Sequence, residues 1–214
     1  MMPPGDVAAR RLPIVLALLT LAALPVSYAG ASDRLVWYLE SFPVLVGLPL
    51  VALLWRRRPL SDLLCSLLFL HALILLLGAH YTYEHVPPGD WARDLFGWQR
   101  NNYDKIGHFA QGFVPALLTR EILVRWSPFR QAPRGWLLAI LCVSAPLAFS
   151  ALYEIFEWQA SVWGGDGTDA FVGAQGDIWD AQSDMLFCLV GAIAAVVLLP
   201  RWHDRSIAAA EGRD

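Results

Sequence analysis

Charge is what this sequence holds least of. Asp, Glu, Lys and Arg make up 16% of its 214 residues, against 57% hydrophobic residues and a mean hydropathy of +0.45. A soluble domain of this length carries about a quarter charged residues, so the composition excludes that class and leaves a polytopic membrane protein. Cysteine is scarce too: Cys65, Cys142 and Cys188 sit inside apolar stretches at unrelated depths. Such spacing excludes a disulfide framework and a cysteine metal site, and the three read as small core residues. There is no Gly-x-Ser-x-Gly elbow, His-Glu-x-x-His helix or Walker loop. The Asp-Gly-x-x-Ala-Arg run of alcohol phosphotransferases is missing as well. Without a nucleic-acid motif or a basic patch on a soluble face, nucleic acid is excluded as a partner. No repeat, low-complexity tract or linker divides the chain, so residues 1–214 read as one membrane domain.

What the sequence does have is long apolar runs. A helix crosses a hydrocarbon core of about 30 Å with roughly 20 residues. Six segments meet that length, near 12–30, 35–55, 60–79, 104–125, 136–159 and 180–200, which predicts an all-α bundle of six transmembrane helices in the lipid bilayer. The first, preceded by Arg10 and Arg11, resembles a signal peptide, but its length and the even topology favour a retained span. Basic residues set the orientation: Arg10, Arg11, Arg56, Arg57, Arg58, Arg120, Arg125, Arg130, Arg134, Arg201, Arg205 and Arg213 fall on one side, with Arg34, Arg93, Arg100 and Lys105 on the other. That predicts cytoplasmic termini. Trp37, Trp158, Trp163 and Trp179 are expected in an outer aromatic belt, and Trp55, Trp126, Trp136 and Trp202 in an inner one. Pro3 to Gly5 and the tail after Arg205 read as short mobile ends.

Two outer loops follow. In residues 80–103, Trp91, Leu95 and Trp98 recur at helical spacing, which predicts a short interfacial helix capped by Asp90. The run Gly164-Gly165-Asp166-Gly167-Thr168-Asp169 matches a single calcium-binding nonapeptide; such units bind as stacked repeats, so one copy reads as a flexible turn.

The acids are placed against this frame. Asp104 and His108 are four apart and share a helix face with Gln111; Glu154 and Glu157 are three apart; Asp177, Asp180 and Asp184 step by three and four. His80 and Glu84 are expected to extend the outer end of the third span in the same way. Ionisable groups at membrane depth are costly and mark a functional site by default. Several carboxylates at low dielectric cannot all stay ionised without a cation, so Lys105, His108, a divalent metal or shared protons must compensate. Asp104, His108, Glu154, Glu157, Asp177, Asp180 and Asp184 are the candidate ligands of Mg²⁺, Mn²⁺ or Zn²⁺. His108, Glu154, Glu157 and Asp184 are the candidate catalytic groups.

The runs Tyr103-Asp104-Lys105-Ile106-Gly107-His108-Phe109-Ala110-Gln111-Gly112, Tyr153-Glu154-Ile155-Phe156-Glu157-Trp158, and Gln175-Gly176-Asp177-Ile178-Trp179-Asp180 with Asp184-Met185 resemble the YjdF-like family. That likeness implies a bacterial inner-membrane protein and no particular reaction. A looser similarity reaches the VanZ-like proteins, which share an Asp-Lys-x-x-His opening and an Asp-rich step; this chain has Glu157 where Gln is common there and lacks their Pro-Gly-Arg stretch. Two function classes are expected from the residues, with a non-catalytic scaffold or sensor as the third. The first is a membrane-embedded hydrolase or transferase acting on a lipid or envelope precursor at the periplasmic face. The second is a small ion-coupled carrier using the same acids. A carrier needs a polar route through the inner half, where Thr119, Glu121, Ser144, Pro115 and Pro146 offer little.

Overall fold

The computed structural model describes residues 11–131, 135–164 and 174–212, and every regular element among them is a helix. In chain order these are α1 (Arg11–Tyr28), α2 (Arg34–Leu54), α3 (Asp62–Tyr81), α4 (Pro87–Phe96) and α5 (Tyr103–Trp126). A 3-10 turn (Pro128–Gln131) leads on to α6 (Trp136–Gly164), α7 (Asp180–Leu198) and α8 (Pro200–Ala210). Pro3 to Gly5 and residues 165–169 of the Gly/Asp run lie outside the described residues.

Local chemistry explains the boundaries. Asp33 caps α2 by accepting from the Val36 N–H at 2.9 Å, and Ser61 precedes α3 in the same role. Helix α3 stops because Thr82 and Tyr83 take left-handed φ values of 58° and 56°. Pro87 and Pro88 open α4, where their missing N–H groups cost nothing. Val86, not Asp90, is the N-cap of α4. Asp90 lies in the first turn and instead accepts from Asn101 Nδ2 at 3.1 Å and pairs with Arg93 at 2.8 Å.

Helices α1, α2, α3, α6 and α7 are each long and apolar enough to cross a membrane. Helix α5 is long enough, at 24 residues, but carries Asp104, Lys105, His108, Arg120, Glu121 and Arg125. It survives in the bundle because α3, α6 and α7 surround it, and its ionisable residues meet partners there rather than lipid. Small residues let α5 and α7 touch backbone to backbone. A Cβ on Gly112 would overlap the Cys188 carbonyl, and one on Gly191 would overlap that of Phe109. Between helices already in an apolar medium, such close packing is a main source of association. Leu64, Leu117, Ala116, Ala192 and Ala195 fill the space around this contact. Cys65, Cys142 and Cys188 are buried free thiols, as their apolar setting implies.

Two further sequence expectations change. Trp37 is not a belt residue: it is 4% exposed, packs edge-on against Tyr28 at 5.0 Å, and donates from Nε1 to Ser27 Oγ at 2.9 Å. Its indole N–H found an internal acceptor, which removes the reason to sit at the water boundary. The chain after Arg205 is also helical as far as Ala210, since α8 runs to that residue and buries His203, Ile207 and Ala210. An ion network draws it in. Glu121 Oε1 accepts from the Ser61 N–H at 2.8 Å and from Arg125 Nη1 at 2.6 Å, while Oε2 accepts from Ser61 Oγ at 2.6 Å and faces His203 Nε2 at 2.9 Å. Arg120 continues the network to Asp204 at 2.6 Å. No described side chain in this network stands alone, so burial of its charges is compensated.

The glycine contact makes a direct prediction. Gly112→Ala forces α5 from α7 and should lower stability by about 1–3 kcal/mol, read as a drop in Tm of the detergent-purified protein. Gly47→Ala, whose Cβ meets nothing within 4 Å, should not. Equal melting of Gly112→Ala and wild type would show that the helices do not touch there.

Candidate functional site

The α5–α7 contact fixes what meets at one end of the bundle. With the two backbones touching at Gly112 and Gly191, the turns that follow toward this end bring Asp104, Lys105 and His108 of α5 against Asp180 and Asp184 of α7. Lys105 is the only lysine in the chain. Its Nζ donates to Asp180 Oδ1 and to Asp184 Oδ1, each at 2.7 Å, and stands 3.4 Å from Asp104 Oδ2. Arg100 reaches in from the loop before α5. Its Nη1 donates to Asp180 Oδ1 at 2.6 Å and to the Ala174 carbonyl at 3.2 Å, and Nη2 pairs with Asp104. Burial works against the Arg100 charge, but Asp104 and Asp180 more than offset it and hold the guanidinium above its ordinary pKa.

The loop that presents Arg100 is held by the segment before α7. The Asn101 N–H donates to Gln175 Oε1 at 3.0 Å, and Gln175 Nε2 returns a bond to the Asn101 carbonyl at 2.9 Å. Asn101 Nδ2 also ties to the Val86 carbonyl at 3.0 Å. Three hydrogen bonds at the neighbouring Asn101 thus fix the loop that carries the arginine.

Beside this cluster lies a second grouping with a different character. His108 places Nε2 3.7 Å from Asp184 Oδ2 and Nδ1 3.9 Å from Glu154 Oε1 on α6. Both separations exceed a hydrogen bond. Neither His108 Nδ1 nor Glu154 Oε1 has a hydrogen-bond partner among the described residues, although both atoms are buried. Asp184 joins the two groupings, one oxygen on Lys105 and the other toward His108. Glu157, one turn beyond Glu154, is buried and lines the adjoining cavity.

That cavity measures about 930 Å³, at the upper end of the usual range for small-molecule sites. One end carries Asp104, His108, Gln111, Glu157, Asp180 and Asp184, with Glu40, His71, Tyr83 and Tyr153 beside them. The remaining walls come mainly from apolar side chains of α1, α2 and α3, including Ile14, Leu18, Phe42, Val46, Leu50 and Leu75, with Leu118 of α5 and Phe149 of α6. Tyr83 sits on Gly78 and close to Gly107, where burial, then Glu40 nearby, pushes its phenol well above the ordinary tyrosine pKa and keeps it a hydrogen-bond donor.

Of the predicted residues, Asp104, His108, Glu154, Asp180 and Asp184 converge within this end of the bundle. Asp177 is at its edge, half-buried, with Oδ1 accepting from the Trp179 N–H at 2.9 Å and Oδ2 3.7 Å from Arg100. His80 turns elsewhere, with Nδ1 2.7 Å from the Ser27 carbonyl of α1. Arg100, Glu40, His71, Tyr83 and Tyr153 were not among the residues expected to form the site. Glu40 and His71 did carry a signal, each being an ionisable residue inside an apolar span. Glu40 accepts from Tyr153 Oη at 3.4 Å.

Fold and site together define a multi-pass helical membrane protein with a buried carboxylate, imidazole and ammonium cluster at the end of an apolar cavity. The chain belongs to the family described as "Predicted membrane protein (DUF2238)", which it matches over residues 12–205. It is 47% identical over 182 residues to the inner membrane protein YjdF of Escherichia coli (strain K12), covering 84% of this chain and 86% of that protein. No solved structure matches it. The chain is therefore an integral, multi-pass protein of the bacterial inner membrane.

The ammonium at Lys105 can be tested as a structural counter-ion. Lys105→Met leaves Asp180 and Asp184 facing one another at low dielectric and should cost about 3–5 kcal/mol. Adding Asp184→Asn should recover part of that loss, so Tm values of the two single variants and the double variant in detergent form a cycle. Strict additivity would mean that the pair does not interact.

Proposed function

We propose that this protein is a membrane-embedded enzyme, a hydrolase or transferase, acting on a lipid or cell-envelope precursor at the periplasmic face. The observation that carries the reading is the cavity. An apolar cavity of about 930 Å³ ending in a cluster of acids suits an amphiphile whose chain lies among α1, α2 and α3 and whose head group meets His108, Glu157 and Asp184, with Glu154 behind His108. In this reading His108 is the general base or acid toward a nucleophilic water or hydroxyl. Asp184 stands 3.7 Å from its Nε2 and Glu154 3.9 Å from its Nδ1, so a small shift of the ring brings either carboxylate into hydrogen-bond range. Tyr83, which lines the cavity, supplies a donor for charge that develops on a phosphoryl or acyl oxygen.

The sidedness belongs to the same proposal. With α5 counted beside the five apolar spans, both termini are cytoplasmic and the acidic end is outside. Support comes from the basic bias: Arg56, Arg57, Arg58, Arg120, Arg125, Arg130, Arg201 and Arg205 all sit at the end opposite the site. An ion-coupled carrier is less favoured by the geometry. Glu121, the acid available for a route through the inner half, is bonded to Ser61, Arg125 and His203.

Two experiments check this reading. Protein in liposomes of extracted inner-membrane lipid, supplied with phosphorylated and acylated long-chain precursors, should convert one class over time, followed by liquid chromatography and mass spectrometry. Glu154→Gln should slow that conversion by about a hundredfold or more, within the range of acid–base contributions. Binding of an amphiphile with no product in any condition would sink the enzyme and leave a binding protein. For sidedness, Asp94→Cys on α4 should react with an impermeant maleimide in intact cells, and Arg57→Cys only after permeabilisation. The reverse pattern would invert the topology.

A further inference from the structure

The acids at this end fall into two sets of donors. In each set, one oxygen or nitrogen per residue lies within 4.8 Å of the others: Asp104, Asp180 and Asp184 form one, and His108, Glu154 and Asp184 the other. The first set already encloses a cation. Lys105 Nζ is bonded to two of its carboxylates at 2.7 Å and sits 3.4 Å from the third, and Arg100 covers their outer side. A metal ion there would have to displace an ammonium that is fully engaged.

The second set has no such ion. Glu154 has a side-chain exposure of 8%, and its Oε1 is buried with no donor among the described residues. It faces His108 Nδ1, equally unpartnered, across 3.9 Å. A buried carboxylate oxygen without a donor is costly, and a cation held between it, the imidazole and Asp184 Oδ2 would remove that cost. Lys105 cannot serve here, being committed to the other oxygen of Asp184.

We infer that the protein binds one divalent transition-metal cation through His108, Glu154 and Asp184, with Asp104 and Asp180 serving Lys105 and Arg100 instead. One imidazole and two carboxylates suit Zn²⁺ or Mn²⁺ over Mg²⁺ and Ca²⁺, which prefer all-oxygen shells. Three protein ligands leave a coordination position open, and His108 and Asp184 both line the cavity from which water or a head group would fill it. Metal–ligand bonds of about 2.1 Å require the three side chains to draw inward from their present spacing. With metal bound, activation of water would pass from His108 to the cation, and to that extent the inference rests on the enzyme reading above; the binding itself does not.

The test uses full-length protein in detergent, stripped with a chelator and titrated with Zn²⁺ or Mn²⁺ by calorimetry, with retained metal counted by mass spectrometry. One equivalent should bind. Pulsed paramagnetic resonance of the Mn²⁺ form should show coupling to a single nitrogen, a readout that needs no variant. His108→Ala and Glu154→Gln should each weaken binding at least about tenfold, and Asp94→Asn on exposed α4 should leave it unchanged. Absence of a stoichiometric site, Mn²⁺ without nitrogen coupling, or wild-type affinity in both ligand variants would overturn the assignment. Should precursor turnover persist in chelator and still depend on Glu154, the enzyme stands and the metal falls. Should metal bind while nothing is converted, the outcome is the reverse.

Discussion

The ammonium of Lys105 between Asp180 and Asp184 is the interaction on which the rest depends. It joins α5 to α7 by charge at the end where their backbones are already joined by glycine contact, and the two attachments reinforce each other. Without the close approach at Gly112 and Gly191, a lysine on one helix could not reach two carboxylates on the other at 2.7 Å. Without the ammonium, two buried carboxylates one turn apart on α7 would repel each other and work against that approach. His108 and Glu154 gain their positions as a by-product, since Asp184 is held on one side and leaves its second oxygen facing the imidazole.

The same logic explains how a helix as polar as α5 can occupy the centre of a membrane bundle. It is fastened at both ends by buried charge, through Lys105 and Asp104 at one and through Glu121 and Arg125 at the other. The second fastening recruits α8, whose His203 is fully buried against Glu121. Charges near hydrocarbon are tolerated when they are paired and hydrogen-bonded, and both ends of α5 meet that condition. The arrangement also resists sliding of α5 along its axis, because movement by one turn would break two networks at once. That rigidity suits a site that holds a fixed geometry, and it agrees poorly with a mechanism in which one helix rocks.

Much of this was legible in the chain. The apolar runs marked the helices to within a few residues, because hydrocarbon thickness fixes their length. The spacing of Asp104 and His108, or of Asp180 and Asp184, placed them on shared faces, because helix geometry leaves no other option. What the sequence hid was pairing across elements. Glu40 and His71 stand alone within their spans with no periodic partner, and only the packing of α2 on α3 and of α3 on α5 shows that they border the same cavity. Arg100 looked like a loop residue on the weakly basic side, since nothing local reveals that Gln175 will anchor its backbone. Trp37 was misplaced for a related reason: an indole at a span end belongs to the interface unless an acceptor such as Ser27 lies on a neighbouring helix. Helix α8 was missed because its apolar face is short, and its stability comes from Glu121, about eighty residues upstream.

One feature of the composition acquires a practical meaning in this light. The chain has a single lysine, and that side chain is the one enclosed by the three aspartates. Amine-reactive chemistry directed at the side chains of this protein therefore has one address. An ammonium held by carboxylates keeps its proton and has no lone pair to attack with, whereas a side chain released to water gives up the proton part of the time and reacts as the amine. The extent of acylation at Lys105 is thus a built-in gauge of how often the α5–α7 joint opens to the aqueous phase, readable from one peptide without introducing a label.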